Sequence, residues 1–317
     1  MKKLVIGIDI GGTRTKIGMV DLTLGKVLET VIYPTESKNV TNFEQKIGET
    51  IQYFQAKITE NQIILGVGIG VSSFVFEDGT VDSTYGFMDF MEDYPLAEII
   101  EKAYNLPCKI DNDARLVALG EALYGQGKGF ERVLVLTLGT GLGLGFVVNQ
   151  KLNEKLSFGH MGGHISITQN GEKCYCGKIG CLESLVSATG ILKAAQKLKW
   201  HEKNLNQPFT VESIFYASES GNKEAKLIMN DFLEYLKIGI SNYINLYAPD
   251  RIILGGGVAK GLKIYLPILQ EITQLGPFKA YKTSIEISEL EENSGILGSA
   301  ALFNNIIKTP PLGVKVL

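Results

Sequence analysis

Cysteine is scarce here, with four residues in a chain of 317. Long apolar runs are missing: no stretch approaches the roughly 18 residues of a membrane span, which excludes a membrane-spanning transporter or enzyme. Charge of one sign is also missing. Thirty-one Lys and Arg stand against 34 Asp and Glu, a net −3, so neither a nucleic-acid-binding patch nor an acidic tail is expected. A secretory leader is not legible either. The start "MKKLVIGIDIGG" carries two lysines, but glycine and aspartate interrupt the apolar run within six residues. The reading is therefore of a cytoplasmic protein with reduced thiols, whose cysteines are metal ligands or plain core residues rather than a disulfide pair. There is no low-complexity segment and no linker rich in proline or serine.

What the chain has in quantity is glycine, 36 residues gathered into short loops. At this length two domains are the natural expectation. The stretch "LVIGIDIGGTRTKIGMVDL" is two apolar runs around a Gly-Gly-Thr turn and reads as a β-hairpin, with a third strand in "KVLETVIYP". Phe43, Ile47, Ile51, Phe54 and Ile58 recur at helical spacing, with Thr41 and Glu44 as a capping box. A strand "IILGVGIGV", a helix "AEIIEKAY" and a short strand "PCKIDND" follow. The pattern then restarts: "RVLVLTLGTGLGLGFVVNQKL" repeats the layout of the N-terminus, as expected of two similar domains facing each other. Further helices are expected at about 183–198 and 223–247, then a strand into "LGGGVAKG" and a last helix in "SGILGSAALFNNII" that crosses back to the first domain.

Three glycine loops close three apolar strands: "DIGGTRTK" (Asp9–Lys16), "LGTGLGLG" (Leu138–Gly145) and "LGGGVAKG" (Leu254–Gly261). Without a Cβ, backbone N–H groups can approach and cradle phosphate oxygens, and Thr13 and Thr140 add hydroxyl donors. One such loop also fits a tight hairpin; three in the same position are harder to read that way. None matches a Walker or Rossmann fingerprint. Asp9 is placed to anchor Mg²⁺, usually through water, or else to cap the turn. In "DNDA", Asp113 can act as general base on a substrate hydroxyl and Asn112 can hydrogen-bond a sugar, although both residue types also cap helices. Three of the four cysteines fall within "CYCGKIGC", ten residues after His164. His164, Cys174, Cys176 and Cys181 form a Cys₃His set that suits tetrahedral Zn²⁺, with Gly177 and Gly180 letting the loop wrap the ion. Cys108 reads as a core residue.

Together, "IDIGGTRTKIGMVD", "DNDA", "CYCGKIGCLES" and "DRIILGGGVAKG" resemble the ROK family of sugar kinases and sugar-responsive repressors, in the right order over essentially the whole chain. The resemblance implies an α/β protein of the two-domain actin-like, hexokinase-like ATPase fold with a cleft between lobes. One lobe would comprise residues 1–116 with about 299–317, the other 117–298. It implies an ATP-dependent hexose kinase acting on O6, with Asp113 as base and Asn112 on the sugar. Gly11, Gly12, Thr13 and Lys16 with Gly139, Thr140 and Gly141 would hold the phosphates beside Mg²⁺, and Gly255, Gly256 and Gly257 would lie near the adenosine. His164 would bind structural zinc through one ring nitrogen and reach the sugar through the other, and Glu183 would contact the sugar. Two lobes closing on ATP and sugar would exclude water. A homodimer is implied as well.

The chain departs from the family pattern in three places. "HMGGH" puts Met161 where a sugar-binding Glu is usual, with His160 beside it as a replacement contact. "VSSF" replaces a Val-Pro-Gly turn. "STYGFMDF" lacks the usual Asn and offers Tyr85, Phe87 and Phe90 as an aromatic wall. A hexose kinase that is not a strict glucokinase is the expectation, with fructose or an N-acylated hexosamine as other acceptors. The competing reading is a non-catalytic sugar sensor. The chain starts three residues before its first strand, leaving no room for the DNA-binding segment of the repressors.

Overall fold

A computed structural model of the chain describes residues 1–84, 88–153, 157–204, 207–275 and 282–304, of which 157–160 by their backbone alone. The chain divides into two compact units, residues 1–116 with 295–317 and residues 117–294. No helix among the described residues is long and apolar enough to cross a membrane.

In unit 1 the strands are β1 (Lys2–Ile10), β2 (Arg14–Asp21), β3 (Lys26–Pro34), β4 (Gln62–Val71), the two-residue hairpin strands β5 (Phe74–Val75) and β6 (Val81–Asp82), and β7 (Cys108–Asn112). The helices are α1 (Val40–Ala56), α2 (Leu96–Tyr104) and the start of α3 (Asp113–Tyr124). The main sheet runs β3-β2-β1-β4-β7, antiparallel through β1–β3 and parallel through β4 and β7. Unit 2 contains β8 (Arg132–Leu138), β9 (Leu142–Val148), β10 (Lys151–Leu152), β11 (Arg251–Gly255) and β12 (Ser284–Ile287). Their order, β10-β9-β8-β11-β12, repeats the unit 1 topology with the same strand directions. The internal repeat read from the sequence is thus a repeat of sheet topology. Helices α4 (Glu183–Val186), α5 (Ala188–Lys197), α6 (Trp200–Lys203), α7 (Val211–Glu219), α8 (Lys223–Tyr247) and α9 (Leu266–Glu271) belong to unit 2, and α10 (Asn293–Ala301) passes from one unit into the other.

The two faces of the unit 1 sheet are unlike, and the alternation of β1 and β4 explains why. Side chains of successive strand residues point to opposite faces. Ile6, Ile8 and Ile10 with Val67, Ile69 and Val71 are buried in the core that includes Phe43, Ile47, Ile51 and Phe54 of α1. Gly7 and Gly68 face the other way, onto the backbone of α10. A Cβ on Gly7 would stand 2.2 Å from the Ile296 carbonyl oxygen, and one on Gly68 would stand 1.9 Å from that of Ser299. The Ser299 hydroxyl then reaches Ile8 O at 2.8 Å. Each fully buried Ile or Phe on the opposite face contributes about 1.5–3 kcal/mol.

Three local expectations are corrected. The cap of α1 is Asn39, whose side chain accepts from Asn42 N at 3.0 Å; the helix begins at Val40, so Thr41 already lies inside its first turn. The helix expected over 183–198 is two helices, because Ser187 is extended and caps α5 through its hydroxyl on Gly190 N. Phe90 is not part of an open wall: its ring packs on Phe43 and Tyr94, at centroid distances of 5.4 and 6.2 Å. Tyr85 and Phe87 lie outside the described residues.

The glycine face makes a direct prediction. Gly68→Ala must push α10 off the sheet and should destabilise the chain by about 3 kcal/mol, at the upper end of overpacking costs. A denaturant-unfolding midpoint equal to that of the wild type would show that α10 does not depend on this contact.

Candidate active site

In unit 1 three side chains with chemical potential gather at the ends of β1 and β7. Asp9 is buried near the end of β1, against Gly295 of α10, where a Cβ would stand 2.6 Å from Asp9 Cγ. Lys16, its ladder partner on β2, places Nζ 3.0 Å from Asp9 Oδ2. A buried carboxylate at the end of a strand beside a glycine loop suits a hydrated cation. The following loop is tied from behind. Gly11 N–H donates to Arg14 O, while Thr35 takes the loop carbonyls: its hydroxyl donates to Gly11 O at 2.7 Å and its N–H to Thr13 O at 3.0 Å. The N–H groups of Gly12 and Thr13 have no acceptor among the described residues, an arrangement that favours an anion.

Asn112 ends β7 and Asp113 begins α3. Asn112 is buried, accepts from Arg115 N at 3.2 Å as the helix cap, and donates to Ser73 O at 3.0 Å. Its capping role is therefore realised, and one amide hydrogen remains for a ligand. Asp113 is half-buried, and its Cα would be 3.4 Å from a Cβ on Gly70. Burial and the charge of Asp9 push its carboxyl up to about 6, against the hydrogen bonds from Ala114 N and Ser72 and the Lys16 charge. A carboxylate of this kind is tuned to take a proton near neutral pH.

Unit 2 repeats the loop arrangement. Gly139 N–H donates to Gly141 O at 3.0 Å; Gly139 O accepts from Ala188 N, and Thr140 O from the Thr189 hydroxyl, both at 2.8 Å. The N–H groups of Thr140 and Gly141 have no acceptor among the described residues. Gly256 has a φ of +84° and lies on β8, where a Cβ would stand 2.4 Å from Leu138 O. The loop of Gly255, Gly256 and Gly257 is therefore seated beside that of Gly139–Gly141. On the Cβ side of Gly139 and Gly257 nothing among the described residues lies within 4 Å.

The Cys₃His set closes on one point. The ligand atoms of His164, Cys174, Cys176 and Cys181 lie within 4.8 Å of one another. Cys174 Sγ is 3.5 Å from His164 Nδ1, and Cys176 Sγ is 3.6 Å from Cys181 Sγ. A tetrahedral zinc with bonds of about 2.3 Å to sulfur sets ligand separations near 3.8 Å, so the donors and their spacing fit the ion. The turn that makes this possible pairs Cys174 N with Lys178 O and Gly177 N with Cys174 O. The 3₁₀ turn Ser157–His164 is tied to α8 by the Tyr243 hydroxyl, which donates to Gly162 O at 2.8 Å. Met161 is exposed, and the side chain of His160 lies outside what the structure describes.

Glu183 joins the two parts of unit 2. At the start of α4, its Oε2 accepts from Leu142 N at 2.9 Å, immediately after the glycine loop, and it can do so because residue 141 has no Cβ. The same carboxylate acts on the Tyr175 hydroxyl, which lies 3.1 Å from His164 Nε2. Burial, and after it the Glu183 charge, hold the Tyr175 phenol above its ordinary range. Sequence reasoning missed Tyr175. The only signal was a large aromatic between two of the clustered cysteines, where no ligand role was available to it.

Comparison with known proteins agrees with this arrangement. The pattern of the ROK family matches residues 5–306. The chain is 31% identical to a glucokinase of Thermotoga maritima over 97% of its length and 99% of the relative's. It is 30% identical to a xylose repressor of Caldicellulosiruptor bescii over 75% of its length and 62% of the relative's. The structure of a ROK family glucokinase from Streptomyces griseus in complex with glucose and AMPPNP superposes with a TM-score of 0.78 at 27% identity, covering 94% of this chain and 98% of that one. With the repeated sheet topology, the paired glycine loops and the Cys₃His cluster in place, the chain belongs to the ROK family, whose hexokinases share its actin-like ATPase fold.

Proposed function

We propose that the chain is an ATP-dependent hexose kinase that transfers the γ-phosphoryl group of MgATP to a sugar hydroxyl, O6 of a hexose. The observation that carries this is Asp113, a half-buried carboxyl raised to about 6 by burial and by Asp9. Phosphoryl transfer requires mainly positioning and neutralisation of charge. Asp113 takes the proton of the attacking hydroxyl. The open N–H groups at Gly12 and Thr13, and at Thr140 and Gly141, hold phosphate oxygens, with Lys16 supplying positive charge. Asp9 would hold the hydrated Mg²⁺ that accompanies ATP. Asn112, Glu183 and His164 bind sugar hydroxyls, and Gly255–Gly257 lies near the adenosine. Zinc held by His164, Cys174, Cys176 and Cys181 would fix the loop that carries His164 and leads into Glu183; its chemistry there is structural. A cytoplasmic homodimer belongs to the same proposal.

The acceptor is not strictly glucose. Met161 stands where the family pattern has a carboxylate, and a thioether is a weak acceptor. Losing a hydrogen bond to a substrate hydroxyl relaxes selection at that hydroxyl. Mannose or an N-acylated hexosamine should be used at least comparably to glucose. ADP release with MgATP and glucose, mannose, fructose, N-acetylglucosamine and N-acetylmannosamine tests both statements. A kcat/KM for glucose about a hundredfold above every other sugar, roughly 2.7 kcal/mol of discrimination, would contradict the broadened acceptor range. Sugar binding without ADP release would favour a non-catalytic sensor, the reading that the xylose repressor relative supports.

Asp113→Asn should lose about 10²–10⁴ in turnover while binding ATP normally. It should also be more stable than the wild type above pH 6. A carboxyl raised from 3.8 to about 6 keeps its proton in the folded state while the unfolded chain releases it. Stability therefore falls as pH rises through that window, by at most about 3 kcal/mol, and the Asn variant escapes the loss. Parallel melting curves at pH 5 and pH 8 check the sign.

The purified chain should carry about one zinc. Cys176→Ala should lose it and much of the activity without unfolding either unit. Metal analysis that finds no zinc in protein prepared without chelator would remove this part of the proposal.

A further inference from the structure

Tyr175 lies beside the metal cluster rather than in it. Its side chain is largely exposed, at 61%, yet its hydroxyl meets His164 Nε2 at 3.1 Å and feels the Glu183 carboxylate. Its ring stands edge-on to the imidazole, at 5.1 Å and 88°. The polarity of these contacts follows from the neighbours. His164 Nδ1 faces Cys174 Sγ, on the side of the metal ligands, so in the neutral ring Nε2 carries the hydrogen and donates. A carboxylate only accepts. The phenol oxygen therefore accepts from His164 and its hydrogen goes to Glu183. A sugar hydroxyl bridging the same two groups would make the same pair of bonds in the same directions.

We propose that the Tyr175 hydroxyl is an internal stand-in for a substrate hydroxyl: it occupies His164 Nε2 and Glu183 in the empty site and is displaced when the sugar binds. The inference rests on the kinase reading in which those two residues bind the sugar. Tyr175 sits on a turn and is not itself a metal ligand, so its side chain can leave without opening the cluster. The exchange costs affinity, because each sugar must replace a bond already made. It also favours acceptors that restore both bonds, since one that restores a single bond leaves the other group unpaired.

The test is Tyr175→Phe in the zinc-loaded, full-length chain, with Tyr175→Leu as a second variant lacking both the hydroxyl and the ring. Calorimetric titration with mannose, N-acetylglucosamine and glucose reads Kd, steady-state kinetics separate KM from kcat, and metal analysis verifies that zinc is retained. Removing the competing hydroxyl should lower Kd and KM for the bound sugar about three- to tenfold, the range set by a typical net hydrogen bond, with kcat within about twofold. Sugar binding that is unchanged or weaker in both variants, with zinc intact, overturns the inference and leaves the kinase reading standing. No sugar binding by the wild type or either variant overturns both.

Discussion

Unit 1 depends on a contact between backbones. Helix α10 lies directly on β1 and β4 because Gly7 and Gly68 present no side chain where its carbonyls pass. The seat extends along β4: Gly66 meets the ring of Phe303, Gly68 the Ser299 carbonyl, and Gly70 the Cα of Asp113. One row of alternate glycines therefore receives the last helix and the first residue of α3. Where α10 enters unit 1, Gly295 rests against the Asp9 carboxylate. The electrostatics follow from this packing. The Asp9 charge adds to the burial that raises Asp113, and Lys16 offsets part of it. The proposed general base is tuned by what a strand lacks on one face as much as by its polar neighbours.

Unit 2 uses the same device for a different purpose. The bare Cα of Gly141 lets Glu183 reach Leu142 N, and Gly256 lies against the end of β8. A loop that would hold phosphate, a carboxylate that would hold sugar and a metal cluster become one hydrogen-bonded assembly running from Leu142 through Glu183 and Tyr175 to His164. Zinc held by that cluster would stiffen the far end of a chain of polar contacts.

Much of this was legible in the sequence because it was written in spacing. The repeated strand–glycine–strand layout predicts the repeated topology, and "CYCGKIGC" with His164 predicts the cluster. Other features depend on tertiary contacts that no local pattern encodes. Thr41 and Glu44 satisfy a capping pattern, yet Asn39 caps the helix because the chain turns two residues earlier. Phe90 looked free to line a wall and is instead half-buried, with its ring packed on Phe43. The Asp113 shift needs Asp9 beside it, more than a hundred residues away in the chain. Tyr175 needed both of its partners, His164 and Glu183, placed in three dimensions before it could be read at all.

The most direct test of the account is the pH dependence of kcat/KM for a turned-over sugar, because it isolates the state of Asp113 in the free enzyme. The account predicts a limb that rises about tenfold per pH unit below about 6 and then levels, and that is absent from the residual activity of Asp113→Asn. A profile that is flat from pH 5 to pH 8 in the wild type, or an unchanged rising limb in the variant, would contradict it.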